Sequence, residues 1–193
     1  VLIADGGADA DIPTVLSDKS RFPNVNYEYV RYPYDETYSH YYAKIADALA
    51  RVDTAFVAMA DNDDFFVVDG VSKAAEFLRA HADYASSGGQ SAMFWVMPTA
   101  EHDGNPVYGD RIDWKRTSDI RSIAGETACE RIRTPTLSAG DPTYYDLKRT
   151  SVLRAQFELV RELNLHDLFL VENLLWFLNS IAGKAMRTQR LYI

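Results

Sequence analysis

The sequence predicts an α/β fold: a mixed, mostly parallel sheet flanked by helices. Short apolar runs rich in β-branched and aromatic residues alternate along the chain with segments of helical periodicity. One of the runs, "TAFVAMA", is too apolar at successive positions to be an exposed edge, and reads as a strand covered on both faces. The 193 residues are 47% hydrophobic and 25% charged, a balance that suits one compact domain with a substantial core.

"VLIA" reads as a short buried strand that ends in the polar, glycine-containing turn "DGGADAD". "NVNYEYVRY" alternates and is rich in Tyr and Val, which predicts a second strand. Tyr38, Tyr41, Tyr42, Ile45, Ala48 and Leu49 recur at helical spacing, giving a helix from about Thr37 to Arg51. "TAFVAMA" is the next strand, and Val71, Ala74, Ala75, Leu78 and Ala82 mark the face of another helix. Gly88 and Gly89 in "SSGGQ" read as turn glycines before the strand "SAMFWVM", and Pro98 to Asp113 reads as a polar loop.

Ser118 is placed to cap a helix carrying Ile120, Ile123, Ala124, Thr127 and Ala128 on one side. Cys129, on the apolar side of that segment, reads as a buried structural thiol. "TYYDLKR" is predicted as a strand, with Thr150 capping a helix that carries Leu153, Phe157 and Val160. Leu168, Val171, Leu175, Leu178 and Ala182 define a last helix stopped by Gly183, and "KAMRTQRLYI" closes the chain as a strand. With no repeat, low-complexity stretch or linker, residues 1–193 read as a single domain. The chain enters at Val1 directly on an apolar run, which reads as a piece of a longer polypeptide.

Bulk properties narrow the function. A net charge of -8 argues against nucleic-acid binding, whose electrostatic footprint is basic. A single cysteine excludes an internal disulfide framework and offers no zinc pattern, and His40, His81, His102 and His166 share no metal-ligand spacing. No stretch approaches the roughly 20 apolar residues that span a bilayer, and none resembles a signal peptide. The expectation is a soluble, cytoplasmic protein without a membrane span. Seven of the twelve tyrosines fall between Tyr27 and Tyr42, where they are expected to fill the core and its rim. Arg111, Arg131 and Arg133 read as solvated.

The chemistry concentrates in "AFVAMADNDDFFVVDG". Ligands of open α/β sheets sit at the carboxyl ends of strands, and "TAFVAMA" would present Asp61 and Asp63 at such an end. Adjacent carboxylates repel and raise the free energy unless a cation or hydrogen-bond donors compensate. An all-oxygen set suits Mg²⁺ or Mn²⁺, each commonly held by one or two carboxylates plus substrate phosphates. The chemistry this implies is a metal ion clamping a diphosphate.

The order "VLIADGG", then a helix bearing "YAKIADAL", then "VDTAFVAMADNDDFF", resembles the family 2 glycosyltransferases of the GT-A fold. The likeness continues through "GVSKAAEFLRAHADY", "SAMFWVM" and "YYDLKRT", and it covers nearly the whole chain. It is nearest to a bacterial subgroup in which an acidic run is followed by Phe. The resemblance implies a GT-A-like fold, a UDP- or GDP-sugar donor, and a glycan or lipid-linked acceptor. By position, Asp5 corresponds to the aspartate that reads the nucleobase, and Lys44 falls where the family has an Arg near the base and diphosphate. Asp61 corresponds to the first acid of the Asp-x-Asp signature, near the ribose. Asp63 corresponds to its metal ligand, with Asp64 assisting.

The inverting relatives use an acid at the start of a late helix as the catalytic base. Counting back from Gly183 places Glu172 there, in a Val-Glu pair where the family carries Glu-Asp, and Asp167 is its competitor. The family fold normally has a further strand and helix before the equivalent of "VLIADGG". Neither is found ahead of "VLIADGG" here. Either the sequence starts part-way into the fold, or another segment, such as another domain of the same polypeptide, supplies the missing edge. Without it the sheet edge and half of the base pocket stay open. Two other functions compete: a non-catalytic domain of a polysaccharide-assembly protein, and a sugar nucleotidyltransferase. The second usually opens with a Gly-rich, basic phosphate loop that is not found here.

Overall fold

The computed structural model describes residues 1–116, 121–133 and 143–193. Strand β1 (Leu2–Asp5) pairs in parallel with β2 (Glu28–Arg31), Leu2 opposite Glu28 and Asp5 opposite Arg31. The polar segment between them contains more than the expected turn: helix α1 (Asp11–Ser17) and a 3₁₀ turn at Lys19–Arg21. No residue of α1 is buried, and with seven residues its apolar positions Ile12, Val15 and Leu16 span too short a window to announce a helix from periodicity.

Helix α2 (Tyr38–Ala50) starts where the spacing predicts. Thr37 is its N-cap, the hydroxyl accepting from the His40 N–H at 3.4 Å. "TAFVAMA" contributes only the short strand β3 (Phe56–Val57). Helix α3 (Val68–Ala80) leads to β4 (Tyr84–Gln90), which contains both Gly88 and Gly89. These glycines are therefore strand residues and not turn residues. A Cβ on Gly88 would fall on the Asp146 and Arg187 side chains, and one on Gly89 would fall on the Arg190 carbonyl, so close approach excludes a side chain at both.

The segment predicted as a strand and a polar loop is one long hairpin, β5 (Ala92–His102) and β6 (Asn105–Arg116). Its two-residue turn is Asp103-Gly104, with φ of 52° and 76°; both central residues of a type I′ turn need positive φ. The expected helix over Ile120 to Ala128 is corrected too. Ser118 and Ile120 lie outside the described residues, and Ile123 makes an isolated antiparallel bridge to Ala185. The helix α4 (Ala128–Arg133) begins later because Thr127 and Glu130 cap it reciprocally. The Thr127 N–H donates to Glu130 Oε2 at 3.0 Å, and the Glu130 N–H donates to Thr127 Oγ1 at 3.2 Å. In this short helix Cys129 is exposed, and Arg131 takes the buried position.

Strand β7 (Leu147–Arg149) is shorter than "TYYDLKR", whose first residues form a turn closed by the Asp146 N–H donating to the Thr143 carbonyl at 3.1 Å. Helix α5 (Thr150–Glu162) has Arg149 at its N-cap position. Thr150 does not cap it, because its hydroxyl donates to the Thr54 carbonyl at 2.7 Å. Helix α6 (Leu168–Ala182) is capped by Asp167, runs to Gly183 as predicted, and is followed by β8 (Lys184–Leu191).

Among the described residues the strands form three sheets: β1-β2, β3-β7-β4-β8 and β5-β6. The class is mixed α/β with flanking helices, but the sheets are not mostly parallel, since β3/β7, β7/β4 and β5/β6 are antiparallel. Strands β3 and β4, joined by the crossover helix α3, run the same way. Strand β7 returns after the hairpin and α4 and inserts between them in the opposite direction. Among the described residues, the two larger apolar clusters pack against the larger sheet. One joins Tyr42 and Leu49 of α2 to Leu153 and Phe157 of α5 and Val171 and Leu175 of α6. The other joins Ala74 and Leu78 of α3 to Leu147 and Tyr192. A small third cluster joins Ile123, Trp176 and Ala185. Among the described residues, no helix is long and apolar enough to cross a membrane.

Candidate functional site

A cleft of about 490 Å³ opens where four segments meet. The start of α2 contributes Asp35, Glu36, Thr37, Tyr38 and Tyr41. The acidic turn after β3 contributes Asp61, the turn before β7 contributes Tyr144 and Tyr145, and the start of α6 contributes Leu168 and Glu172. The two candidate acids that sequence analysis placed in the acidic turn and on the late helix, Asp61 and Glu172, therefore line one cavity. The N-caps Thr37 and Asp167 fix where α2 and α6 begin, and hence which side chains face the cleft.

The acidic turn is closed by its own backbone. The Asp64 N–H donates to the Asp61 carbonyl at 3.3 Å, and the Asp61 N–H donates to Asp64 Oδ2 at 3.2 Å. The Tyr145 hydroxyl donates to Asp61 Oδ2 at 2.6 Å. Burial pushes the Asp64 carboxyl above its ordinary value, and the charges of Asp61 and Asp63 add to this against the Asp61 N–H and Tyr145. Asp63 is exposed and is not among the cleft-lining residues. Among the described residues, no three His, Cys, Asp or Glu side chains converge as a ready-made cage for an ion. The donor set at the cleft is one or two turn carboxylates, which fits Mg²⁺ or Mn²⁺ shared with substrate oxygens better than it fits an all-protein site.

The tyrosines give the cleft its second character. Tyr41 and Tyr144 are hydrogen-bonded to each other through their hydroxyls, and burial raises both above the usual phenol value. Burial also raises Tyr145, helped by its hydrogen bond to Asp61 and the Asp61 and Asp64 charges. All three remain neutral hydroxyl groups. From sequence, the tyrosines between Tyr27 and Tyr42 are expected in the core and its rim. That holds for the buried Tyr27 and Tyr42, while Tyr38 and Tyr41 face the cleft. From sequence alone the adjacent pair in "TYYD" reads only as the start of a strand. Its position just before a short strand end was the available signal.

Asp5 and Lys44 lie outside the cleft lining. Asp5 ends β1, where its carboxylate accepts from the Tyr29 hydroxyl at 2.6 Å, the Gly7 N–H at 2.8 Å and Arg31 at 2.5 Å. Burial opposes its charge, but Tyr29, the Gly7 N–H and Arg31 together hold it below its ordinary value. Lys44 is nearly buried, ion-paired to the cleft residue Asp35, and lies 4.9 Å from the centre of the Tyr41 ring. Asp167 is committed as a cap, its carboxylate accepting from the Leu170 N–H at 2.8 Å. Arg131, expected to be solvated, instead donates to the Ser180, Ile181, Gly125 and Glu126 carbonyls and closes the end of α6.

A scan of the chain against protein-family models gives no match, and a search among curated proteins finds no matching relative. Fold and site define a mixed α/β protein with an acidic, tyrosine-lined cleft.

Proposed function

We propose that the chain is a metal-dependent, inverting glycosyltransferase domain of GT-A type, related to family 2, that moves a sugar from a nucleoside-diphosphate sugar to an acceptor hydroxyl. The observation that carries this reading is that Asp61 and Glu172, distant in sequence, line one cleft large enough for a small ligand. In the proposed reaction Glu172 accepts the proton of the acceptor hydroxyl as that oxygen bonds to the anomeric carbon. The bond from that carbon to the diphosphate breaks, and the electron pair leaves with the diphosphate. Asp61 and Asp63, assisted by Asp64, would hold Mn²⁺ or Mg²⁺ against the donor. When bound, the ion offsets the charge developing on the leaving group.

The tyrosine hydroxyls offer neutral hydrogen bonds and ring faces to sugar hydroxyls and C–H groups. The cleft also carries Asp35, Glu36, Asp61 and Glu172, so a diphosphate without a cation meets a repulsive wall. Asp5 is proposed to read the base and Lys44 to support the nucleotide. The donor would be a UDP- or GDP-sugar, the acceptor a glycan or a lipid-linked sugar, and the compartment the cytoplasm.

A second reading is a non-catalytic domain of a larger polysaccharide-assembly protein. It is favoured by one observation: Asp5 and Lys44 are both engaged in internal ion pairs. Turnover separates the two readings. With UDP- or GDP-sugar, acceptor and Mn²⁺, Glu172→Gln should lower nucleotide release by roughly 10²–10⁴-fold and leave metal-dependent nucleotide binding intact. A wild-type protein that binds the metal–nucleotide complex but releases no nucleotide would establish the non-catalytic reading. Turnover of Glu172→Gln at the wild-type rate would remove Glu172 as the base.

A further inference from the structure

We infer that Tyr145 is a positioning residue: its hydroxyl holds the acidic turn in the shape in which Asp61 faces the cleft. This rests on the proposed function for what the turn does, but not for the contact itself. The turn's internal bonds are the two reciprocal ones between Asp61 and Asp64, both longer than 3 Å and both at exposed or half-buried positions. Such bonds are open to competition from water and leave the Asp61 side chain free to rotate. The 2.6 Å bond from Tyr145 fixes one carboxylate oxygen from outside the turn, and Tyr145 also hydrogen-bonds Asp64. The second oxygen of Asp61 is left to meet a ligand.

A positioning residue must itself be immobile, and Tyr145 is fixed from behind. Thr143 and Asp146 on either side of the tyrosine pair are buried. The Asp146 carboxylate accepts from the Ser86 hydroxyl on β4 at 3.0 Å and pairs with Arg187 on β8, side chains that are 3% and 5% exposed respectively. Ser86 in turn accepts from the Asn179 amide on α6 at 3.1 Å. The same α6 carries Glu172. One buried polar network thus ties the strand that sets Tyr145 to the helix that carries the other cleft acid. Groups that orient a ligand from behind commonly affect metal affinity by 10–100-fold.

The test is Tyr145→Phe, which removes the hydroxyl and keeps the ring, measured in two ways. In the metal-free protein, amide hydrogen exchange at Asp61 and Asp64 should accelerate by about 10-fold, with the core amides of β4 unchanged. With Mn²⁺ alone as the probe, followed by its electron paramagnetic resonance signal, affinity should fall by about 10-fold or more. In an Asp61→Ala background, which removes the acceptor oxygen, the same substitution should change Mn²⁺ affinity no further, because the contact is already lost. Unchanged exchange at the turn overturns the inference, and so does unchanged Mn²⁺ affinity in a wild-type protein that binds the ion. If wild type binds no Mn²⁺ while exchange still accelerates, the metal-dependent function falls and the positioning role stands.

Discussion

At the scale of single residues, the two candidate bases separate cleanly. Asp167 caps α6 through the Leu170 N–H, whereas Glu172 lies one turn further on and lines the cleft. Asp167→Ala should therefore cost about 1 kcal/mol of stability in urea unfolding and leave turnover within a few-fold of wild type. Asp64 behaves differently with pH. Its folded-state value is raised above the ordinary 3.8, so ionisation opposes folding. The stability linked to its protonated form is complete below its unfolded value and is lost as pH rises through the folded value. In metal-free protein, Asp64→Asn should be more stable than wild type near pH 7, with the advantage vanishing as pH falls below about 4, as read from urea midpoints across pH. That Asp61 and Glu172 are residues to examine was legible in the sequence, because carboxylates at a strand end and beside an apolar helical stripe are conspicuous, and both line the cleft. Arg131 was not, because a buried arginine satisfied by four backbone carbonyls has the same letter and spacing as a solvated one.

At the scale of elements, long amphipathic helices were read well: α2, α3, α5 and α6 lie where periodicity places them, with α3 ending two residues early. Short elements were missed when tertiary contacts define them. Strand β4 contains Gly88 and Gly89 because the Asp146–Arg187 pair and the Arg190 carbonyl press against its backbone, and no local propensity encodes that. Gly88→Ala should therefore destabilise by about 1–3 kcal/mol by overpacking, measured as a lower urea midpoint. The start of the β5–β6 hairpin is legible as the strand "SAMFWVM", but Pro98 to Asp113 reads as a loop although "HDGN" carries a strong turn signal, because Pro98 and the polar residues around it mask the alternation. Phe94 and Trp114 of the hairpin continue an aromatic row from Phe65, beside the acidic turn, with ring centroids 6.0 Å (Phe65–Phe94) and 5.2 Å (Phe94–Trp114) apart, and Trp114 remains 67% exposed. Trp114→Thr should change unfolding free energy by no more than about 0.5 kcal/mol, since little apolar area is covered there.

At the scale of the whole molecule, the strand–helix alternation gave the class, while β7 running against both of its neighbours escaped a reading based on local pattern alone. The two-stranded β1-β2 sheet does not hydrogen-bond to the larger sheet, and none of its strand residues is buried, whereas six of the seven residues of β4 are. Amides of β1 and β2 should thus exchange faster than those of β4 and β8, in keeping with weaker local stability where little is buried. The cleft bridges this uneven frame, drawing on α2, the turn after β3, the turn before β7, and α6. The central claim is that its carboxylates serve a cation-held diphosphate. Isothermal titration of UDP and of GDP into the protein, with and without Mn²⁺, tests it most directly. The account predicts binding of one nucleotide only when Mn²⁺ is present, lost in Asp61→Asn and in Asp63→Ala. Equal binding without the metal, or no binding of either nucleotide with it, would contradict the account.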